Sequence, residues 1–312
     1  MLQVKNISFS YDAIPVLKSI SLNLNRGDRM VLVGESGCGK TTLLKTIAGY
    51  LQPDSGEIWF EDNKVKGPKD QLVPGHTSIK LVNQDFGLDG FHTVEENIRL
   101  KLLRFDKDYV NYRIEELLKV TGLEKIKSLT ANQLSGGQKQ RLAIARALAD
   151  EPELLLLDEP FNQLDYFLKQ KIENYIDDYL KKNNITVLLV SHNGEETMRW
   201  GDKVLFLKSG KIVRQDTASN FYHKPQNRKE AGFFGTVNTV YVDKKHVSFR
   251  PNAFALKASK DYPLMLKVKY LKSIDKGWYF DNLFQFGNRL IHLNNPDPIS
   301  VSKIYVNPIV FQ

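Results

Sequence analysis

The sequence predicts an α/β fold with a parallel sheet, followed by a small all-β domain, and three features of the chain lead to this prediction. Two continuous apolar runs of buried-strand length, LLLLD (154–158) and TVLLVS (186–191), are separated by a segment of helical periodicity. An earlier apolar strand, RMVLVG (29–34), runs directly into a glycine-rich loop that opens a helix. Beyond about residue 232 the pattern changes to short alternating segments broken by Gly, Pro and Asn. Alternating strands and helices favour a parallel core, whereas the short segments favour a separate β module.

The other elements follow from local patterns along the chain. Residues 1–33 indicate short strands, because apolar and polar residues alternate in ISLNLN. Strand signals return in GEIWFED (56–62) and SIKLVNQ (78–84), and residues 94–149 have mainly helical periodicity. The segment HKPQNRKEAG (223–232) is typical of a linker. We therefore predict a first domain that is rich in both helices and strands, joined by this linker to the β module.

The predicted domains are residues 1–230, with a helical subdomain at about 86–150, and residues 231–312. The net charge of +8 is concentrated in the second domain, which has 11 Lys and Arg against 5 Asp and Glu. An anionic ligand, nucleic acid or a membrane surface would each suit a basic domain. The lysines are scattered along the sequence, however, and this favours an ordinary solvated surface.

Composition excludes several classes of protein. Of the 312 residues, 42% are hydrophobic and 26% are charged, as in a globular protein that dissolves in water. No stretch approaches the roughly 20 apolar residues of a membrane span, so we expect the protein to stay in the cytoplasm. Cys38 is the only cysteine, which rules out an internal disulfide and suits a reducing compartment.

The stretch GESGCGKTT (34–42) matches the phosphate-loop pattern G-x-x-x-x-G-K-[ST]. Its glycines let backbone N–H groups face a phosphate, Lys40 would meet the β and γ phosphates, and the Thr41 hydroxyl would reach Mg²⁺. A strand precedes the loop and a helix follows it, which is the context that this motif requires. We therefore predict a site for a nucleotide and Mg²⁺ as cofactors; that the nucleotide is ATP is implied only by the family resemblance described below. The phosphate-binding residues of the loop are Gly34, Ser36, Gly37, Gly39, Lys40, Thr41 and Thr42.

The run LLLLDEP supplies two carboxylates at the end of a buried strand. Asp158 is predicted to hold Mg²⁺, and Glu159 is predicted to polarise the attacking water. A strand-end acidic pair without a catalytic role is the alternative, and the phosphate loop makes it the weaker one. Cys38 is interpreted as a small filler of the loop, although a position near a helix N-terminus could also make a thiol reactive.

The segment QLSGGQKQR (133–141) contains a second turn suited to an anion. Ser135 is a good N-cap, and Gly136 and Gly137 have no side chains to cover the backbone where an amphipathic helix begins. The positive end of that helix would face an anion. Serine and glycine turns also cap many helices that bind nothing, so this motif alone does not identify a site.

With these motifs, residues 1–230 resemble the ATP-binding subunit of an ABC transporter. LSGGQ (134–138) reproduces the signature motif of that family. The resemblance implies an ATPase with a P-loop NTPase core, a helical subdomain and an antiparallel β subdomain. It also implies that two copies form a head-to-tail dimer in which the signature of one copy closes over the nucleotide of the other. The signature residues expected to do so are Ser135, Gly136, Gly137 and Gln138.

The same resemblance assigns further site residues. Tyr11 matches the aromatic residue that stacks on adenine, although an isolated tyrosine on a strand more often serves in packing. Gln84 matches the glutamine that senses the Mg²⁺ and water site, and His192 matches the histidine that contacts the γ-phosphate. Asp165 matches the aspartate of the dimer-contact loop. In that loop Asn162 and Gln163 replace the small residues usual in the family.

The expected partners are separate transmembrane permease subunits, which the resemblance places near residues 86–92. Core packing of Phe86, Leu88, Phe91 and His92 is an equally strong alternative. In the tail, FFGTVNTV and SFRPNAFAL resemble the start of the oligomer-binding-fold regulatory module of importers for polyamines, ferric iron, molybdate and sugars. Asn252 replaces the usual glutamate there, and the tail is shorter than two complete modules, so ligand sensing is not predicted.

We therefore predict an importer ATPase that is peripheral to the cytoplasmic face of the membrane and works with a substrate-binding protein. The alternative is a soluble ABC ATPase that acts on nucleic acid or ribosomes through its basic β tail. A single ATPase unit and the absence of an interleaved aromatic and basic pattern in the tail disfavour this alternative. Nucleic acid is accordingly not an expected partner.

Overall fold

A computed structural model describes residues 1–83, 85–309 and 311 of the chain. These residues group into two compact units. The first comprises Met1–His192 and Arg199–Gln215, and the second comprises Asn193–Met198 and the chain from Asp216 onward. This grouping does not test the domain boundary that the sequence predicts at residue 230, and that boundary stays a prediction.

The strands of the first unit form two sheets. They are β1 (Leu2–Tyr11), β2 (Ile14–Leu24), β3 (Arg29–Gly34), β4 (Ser55–Phe60), β5 (Asn63–Lys64), β6 (Ile79–Val82), β7 (Leu154–Asp158), β8 (Thr186–Val190), β9 (Lys203–Lys208) and β10 (Lys211–Asp216). The larger sheet has the order β10-β9-β3-β8-β7-β6, and the pairs β9-β3, β3-β8, β8-β7 and β7-β6 are parallel. Every residue of β7 and β8 is buried, as continuous apolar runs require in a sheet that is covered on both faces. The predicted parallel α/β core is confirmed.

The smaller sheet of this unit is antiparallel, in the order β2-β1-β4-β5. Alternate residues of β1 and β2 are buried, which matches the alternation in the sequence. A single hydrophobic cluster contains side chains from both sheets and from the helix that follows β3, including Ile7, Ile20, Leu32, Leu43 and Leu188. This cluster fixes the antiparallel sheet beside the loop that leaves β3.

Eight α-helices occur in the described part of the chain. They are α1 (Lys40–Ile47), α2 (Val94–Arg99), α3 (Lys107–Thr121), α4 (Gly136–Ala149), α5 (Tyr166–Asn183), α6 (Gly194–Trp200), α7 (Ala218–His223) and α8 (Arg228–Phe233). Helices α2, α3 and α4 pack on one another and form the predicted helical subdomain. The ends of α3 follow local chemistry, because Asp106 caps its first turn and Gly122 ends it in a left-handed conformation with φ 62°.

The second unit contains three small antiparallel sheets around one core. Its strands are β11 (Asn238–Val242), β12 (Lys245–Phe249), β13 (Phe254–Ala255), β14 (Leu264–Lys267), β15 (Lys269–Asp275), β16 (Phe280–Phe286), β17 (Arg289–Asn295) and β18 (Lys303–Val306). The sheets pair as β11-β12, β13-β18-β14 and β15-β16-β17. Phe249, Phe284 and Ile291 are fully buried in the shared core. The predicted small β module is therefore present.

Arg250, in the phrase FRPNAF, ties the strands of the second unit to its helical segments. The guanidinium is 5% exposed and donates to the carbonyl oxygens of Ala231 at 2.7 Å, Gly235 at 3.0 Å and Tyr222 at 3.1 Å. It also lies over the Tyr222 ring, 4.3 Å from the ring centre. A planar donor with several N–H groups suits this arrangement of converging carbonyls.

Within the described residues, no helix combines the length and the apolar character that crossing a membrane requires.

Candidate functional site

The phosphate loop lies between β3 and α1, at the carboxyl edge of the parallel sheet. Gly39 precedes the first turn of α1 with φ 107°, a left-handed conformation that favours glycine. At Gly34, a Cβ atom would lie only 2.2 Å from the backbone oxygen of Leu207 on β9. The two fixed glycines of the motif are thus explained by the helix start and by a close approach of backbone.

Lys40 is held inside this loop by the loop itself. Its side chain is 8% exposed, and Nζ donates to the backbone oxygens of Gly34 and Glu35, each at 2.9 Å. A buried ammonium needs such partners, because desolvation of an unpaired cation is costly. The loop therefore holds the positive charge of Lys40 at a defined place beside its own backbone N–H groups.

Thr41 and Asp158 are 117 residues apart in sequence and in direct contact in the fold. The Thr41 hydroxyl donates to Asp158 Oδ2 at 2.6 Å. Asp158 ends β7 and is 2% exposed, and this burial raises the pKa of its carboxyl group against the opposing effect of the Thr41 hydrogen bond. A hydroxyl and a carboxylate are the oxygen ligands that Mg²⁺ prefers, and the pair therefore fits the metal that the sequence predicts. No group of three or more His, Cys, Asp or Glu side chains suited to a metal occurs among the described residues.

Glu159 lies directly beyond this carboxylate, in a backbone conformation that is rare outside glycine, with φ 51°. Its N–H donates to the backbone oxygen of Val190 at 3.1 Å, which joins the end of β7 to the end of β8. His192 follows β8, and its Nδ1 lies 3.3 Å from Glu159 Oε1. The other carboxylate oxygen accepts a hydrogen bond from Asn162 Nδ2 at 2.7 Å. The parallel pairing of β7 with β8 thus brings together Glu159 and His192, which the sequence analysis assigned separately.

The signature turn begins α4 with a capping box. Ser135 Oγ accepts from the N–H of Gln138 at 3.4 Å, and Gln138 Oε1 accepts from the N–H of Ser135 at 2.8 Å. Gly136 and Gly137 lie against Gln163: an added Cβ would be 2.6 Å from Gln163 Oε1 and 2.8 Å from the Gln163 backbone oxygen, respectively. Inside one copy of the chain, these glycines therefore make room for the turn that follows Glu159.

Two residues of this region, Asn162 and Gln140, were not assigned to the site from the sequence. Gln140 is 6% exposed on α4; its Nε2 donates to the Glu159 backbone oxygen at 3.1 Å, and its Oε1 accepts from the Gln163 N–H at 3.2 Å. Gln140 follows the signature LSGGQ (134–138), and the sequence analysis assigned site roles only to residues of that signature. Asn162 had a signal, because it departs from the small residue expected at its position.

The remaining assigned residues are distributed around this centre. Tyr11 ends β1, is 45% exposed and packs edge-on against Phe9 at 4.7 Å between ring centres. Asp165 caps α5 by accepting a hydrogen bond from the N–H of Leu168 at 3.0 Å. Ser36 and Gly37 are exposed and Thr42 is buried. Gln84 lies outside the described residues.

Cys38 is buried in the phosphate loop, with its Sγ 3.9 Å from Lys40 Nζ. Burial raises the pKa of the thiol, and the nearby Lys40 charge opposes this effect. A raised pKa leaves less of the reactive thiolate at neutral pH. The geometry therefore favours the interpretation of Cys38 as a filler over that of a reactive thiol.

A groove of about 530 Å³ lies in the first unit. Phe86 and Gly87 contribute to it, together with four cationic side chains, Lys45, Lys80, Lys101 and Arg146. Lys80 is paired with Asp150 at 2.6 Å, and burial lowers the pKa of Lys101 and of Arg146. Phe91 is 87% exposed, so the alternative of core packing is wrong for this residue.

Comparison with known proteins agrees with this geometry. A family model described as ABC transporter matches residues 17–162. The Fe(3+) ions import ATP-binding protein FbpC 2 of Haemophilus influenzae is 38% identical over 301 residues, covering 88% of this chain and 85% of that protein. The spermidine/putrescine import ATP-binding protein PotA of Clostridium novyi is 32% identical over 286 residues, covering 88% of this chain and 81% of that protein.

Solved structures give the same result. The ATP-binding cassette MJ0796, described as a dimer in a post-hydrolysis state bound to ADP and Pi, superposes with a TM-score of 0.63 at 31% identity. The match covers 70% of this chain and 99% of that one. A phosphate loop, a strand-end acidic pair, a signature turn and relatives that match along most of their length lead to one assignment. The chain belongs to the ATP-binding subunits of the ABC transporter family.

Proposed function

We propose that this chain is the ATP-hydrolysing subunit of an ABC importer, which it powers by closing a homodimer around two nucleotides. The observation that carries the proposal is the meeting of three strand ends at one edge of the sheet. There β3 delivers Lys40 and Thr41, β7 delivers Asp158 and Glu159, and β8 is followed by His192. Ligands of open α/β sheets bind at this edge.

The phosphate loop holds the phosphates of ATP in this proposal. Backbone N–H groups from Gly34 to Thr42 face the phosphates, and Lys40 adds a charge at the β and γ positions. Thr41 and Asp158 hold Mg²⁺, with Gln84 as a third candidate, and the bound ion neutralises charge on the phosphates. Tyr11 stacks on adenine. The 2.6 Å contact between Thr41 and Asp158 supports the metal assignment, because it brings the two oxygens close together.

Hydrolysis is assigned to Glu159 and His192. Glu159 accepts a hydrogen bond from the attacking water and aligns it with the γ-phosphorus, while His192 donates to a γ-phosphate oxygen. The 3.3 Å separation of His192 Nδ1 from Glu159 Oε1 supports joint action at one phosphate. Both side chains are partly open to solvent, 57% for His192 and 20% for Glu159, as binding of water and nucleotide requires.

The dimer completes each site in this proposal. Ser135, Gly136, Gly137 and Gln138 of one copy close over the nucleotide of the other, and Asp165 lies at the contact between copies. Ser135 and Gly136 are exposed at the start of α4, where unsatisfied N–H groups carry a partial positive charge. The dimeric state described for the related cassette supports this assembly.

The names of the relatives support a direction of transport. Both curated relatives quoted above are named as import proteins, and we propose import for this chain. Permease subunits dock near residues 86–92, where the cationic groove would pair with a segment that carries a carboxylate. The chain would then lie at the cytoplasmic face of the membrane and work with a substrate-binding protein. Residues 1–230 form the ATPase domain, and residues 231–312 support or regulate the dimer.

The central experiment compares Glu159→Gln with wild type, with Glu115→Gln as a matched control at an exposed position of α3. We expect Glu159→Gln to bind Mg-ATP normally, to lose at least about a hundredfold in turnover and to accumulate as a dimer in sedimentation. The control should hydrolyse ATP like wild type. Normal turnover by Glu159→Gln would refute the assignment of the base.

A second experiment tests the transporter role. Tagged Glu159→Gln protein is purified with Mg-ATP from gently solubilised native membranes. A polytopic membrane protein in stoichiometric amount is the expected result. Recovery only with RNA or ribosomes, lost as salt increases, would instead support the soluble ATPase that acts on nucleic acid.

A further inference from the structure

The carboxylate of Glu159 is held at both of its oxygens by groups from different loops. His192 lies at Oε1, and Asn162 donates its side-chain amide to Oε2 at 2.7 Å. A glutamate side chain has three rotatable bonds, so its carboxylate samples many orientations unless neighbours fix it. The Asn162 amide is a donor at every pH, because it does not titrate.

The turn that carries Asn162 is itself fixed. Gln140 is 6% exposed and bridges the two ends of this turn: it donates to the backbone oxygen of Glu159 and accepts from the N–H of Gln163. A buried side-chain amide that uses both its donor and its acceptor is a rigid support. Asn162 therefore reaches Glu159 from a backbone that is tied to the first part of α4.

We infer that Asn162 is a positioning residue for hydrolysis, which orients the Glu159 carboxylate by its hydrogen bond to Oε2. A carboxylate has about four acceptor sites and this bond uses one of them, so the bond does not by itself prevent Glu159 from accepting from a water molecule. The bond restrains the rotation of Glu159 before nucleotide binds, so less order has to be gained when the water is aligned. This inference rests on the proposed role of Glu159 as the group that activates water.

The inference predicts a loss in kcat without a loss in ATP binding. Asn162→Ala removes the donor, and we expect kcat to fall about tenfold while the KM for ATP stays within about twofold. Asn162→Asp keeps the shape of asparagine but replaces the donor by a second negative charge next to Glu159. We expect it to lose more than the alanine variant, about thirtyfold or more.

Which of the two variants loses more kcat distinguishes a positioning role of Asn162 from a packing role. If only the shape of Asn162 mattered, Asn162→Asp would behave like wild type and Asn162→Ala would be the worse variant, and this result would overturn the inference. Asn183→Ala is the control, because it removes an amide that donates to a backbone oxygen within α5. Its kcat should remain that of wild type.

Folding and the role of the base are tested with the same proteins. Asn162 is exposed, so its truncation leaves no cavity, and the midpoint of thermal unfolding should stay within about 2 °C of wild type. Mg-ATP should bind equally well to Glu159→Gln and to Glu159→Gln combined with Asn162→Ala. If Glu159→Gln keeps normal turnover, the proposed base is wrong. If Glu159→Gln is inactive while Asn162→Ala turns over normally, only the positioning role of Asn162 is wrong.

Discussion

Gly136 and Gly137 offer a test in which the same substitution at adjacent positions should have different effects. Both residues lie in the first turn of α4, and neither has the left-handed conformation that an L side chain avoids. Alanine should therefore be compatible with the backbone at both positions. What differs is the atom of Gln163 that the new methyl group would meet.

At Gly136 the methyl group would lie 2.6 Å from Gln163 Oε1, the end of an exposed and flexible side chain. Rotating this side chain away costs about 0.5–1 kcal/mol, and alanine regains a similar amount because it restricts the unfolded chain more than glycine does. At Gly137 the methyl group would lie 2.8 Å from the backbone oxygen of Gln163, which Gln140 holds in place. Displacing this turn costs about 1–3 kcal/mol, of which alanine regains less than 1.

The assay is thermal unfolding without nucleotide, followed by circular dichroism. A change of 1 kcal/mol shifts the midpoint by about 2–4 °C in a protein of 150–250 residues, which is the size of the first unit. We expect Gly136→Ala to stay within about 2 °C of wild type and Gly137→Ala to unfold about 3–6 °C lower. Turnover does not separate the two, since both glycines are proposed to face the nucleotide of the partner copy.

Equal midpoints for the two variants, or a midpoint for Gly137→Ala at or above that of wild type, would refute the reasoning. The second glycine of the signature would then be required only at the dimer contact, and not by the turn that follows Glu159 in the same copy. A third variant, Gln163→Ala, is a useful control. It should leave the effect of Gly137→Ala unchanged, because the contact at Gly137 is with the backbone.

Three other predictions concern buried polar groups. Asp158→Asn should raise the unfolding midpoint of the nucleotide-free protein by about 2–4 °C at pH 7, because burial raises the pKa of the Asp158 carboxyl group and makes its charged form costly in the fold. This gain should vanish as the pH falls towards the ordinary pKa of aspartate, where the wild-type carboxyl group is protonated as well. Turnover should be lost in this variant. Cys38 should react with thiol reagents at least about tenfold more slowly than a free cysteine at pH 7, and faster as pH rises, so rapid labelling at neutral pH would contradict the raised pKa of its thiol. Arg250→Lys should lower the free energy of unfolding of the second unit by about 2–3 kcal/mol in urea titrations, because an ammonium cannot reach all the carbonyl oxygens that the guanidinium reaches. The control Arg289→Lys, at an exposed position, should leave this free energy unchanged.

Sequence patterns were sufficient wherever structure depends on neighbours along the chain. The phosphate loop was predicted with its strand and helix, because the left-handed Gly39 and the backbone oxygens that accept hydrogen bonds from Lys40 lie within a few residues of one another. The buried strands β7 and β8 were predicted because a strand covered on both faces is continuously apolar. The strand-end run LLLLDEP predicted the roles of Asp158 and Glu159, and the resemblance to a family then added His192, in both cases without any information on distance.

The sequence by itself determined the class of fold and the phosphate loop, and it supplied the candidate residues of the ATP site. Only the tertiary structure decided which of these residues touch: β3, β8 and β7 lie side by side, and this order brings Thr41 to Asp158 and Glu159 to His192. It also decided that Asn162 contacts the Glu159 carboxylate and that Gln140 holds the turn that follows Glu159. The physical reason is that capping, turns and periodicity act over a few residues, whereas contacts between loops depend on how the sheet orders its strands.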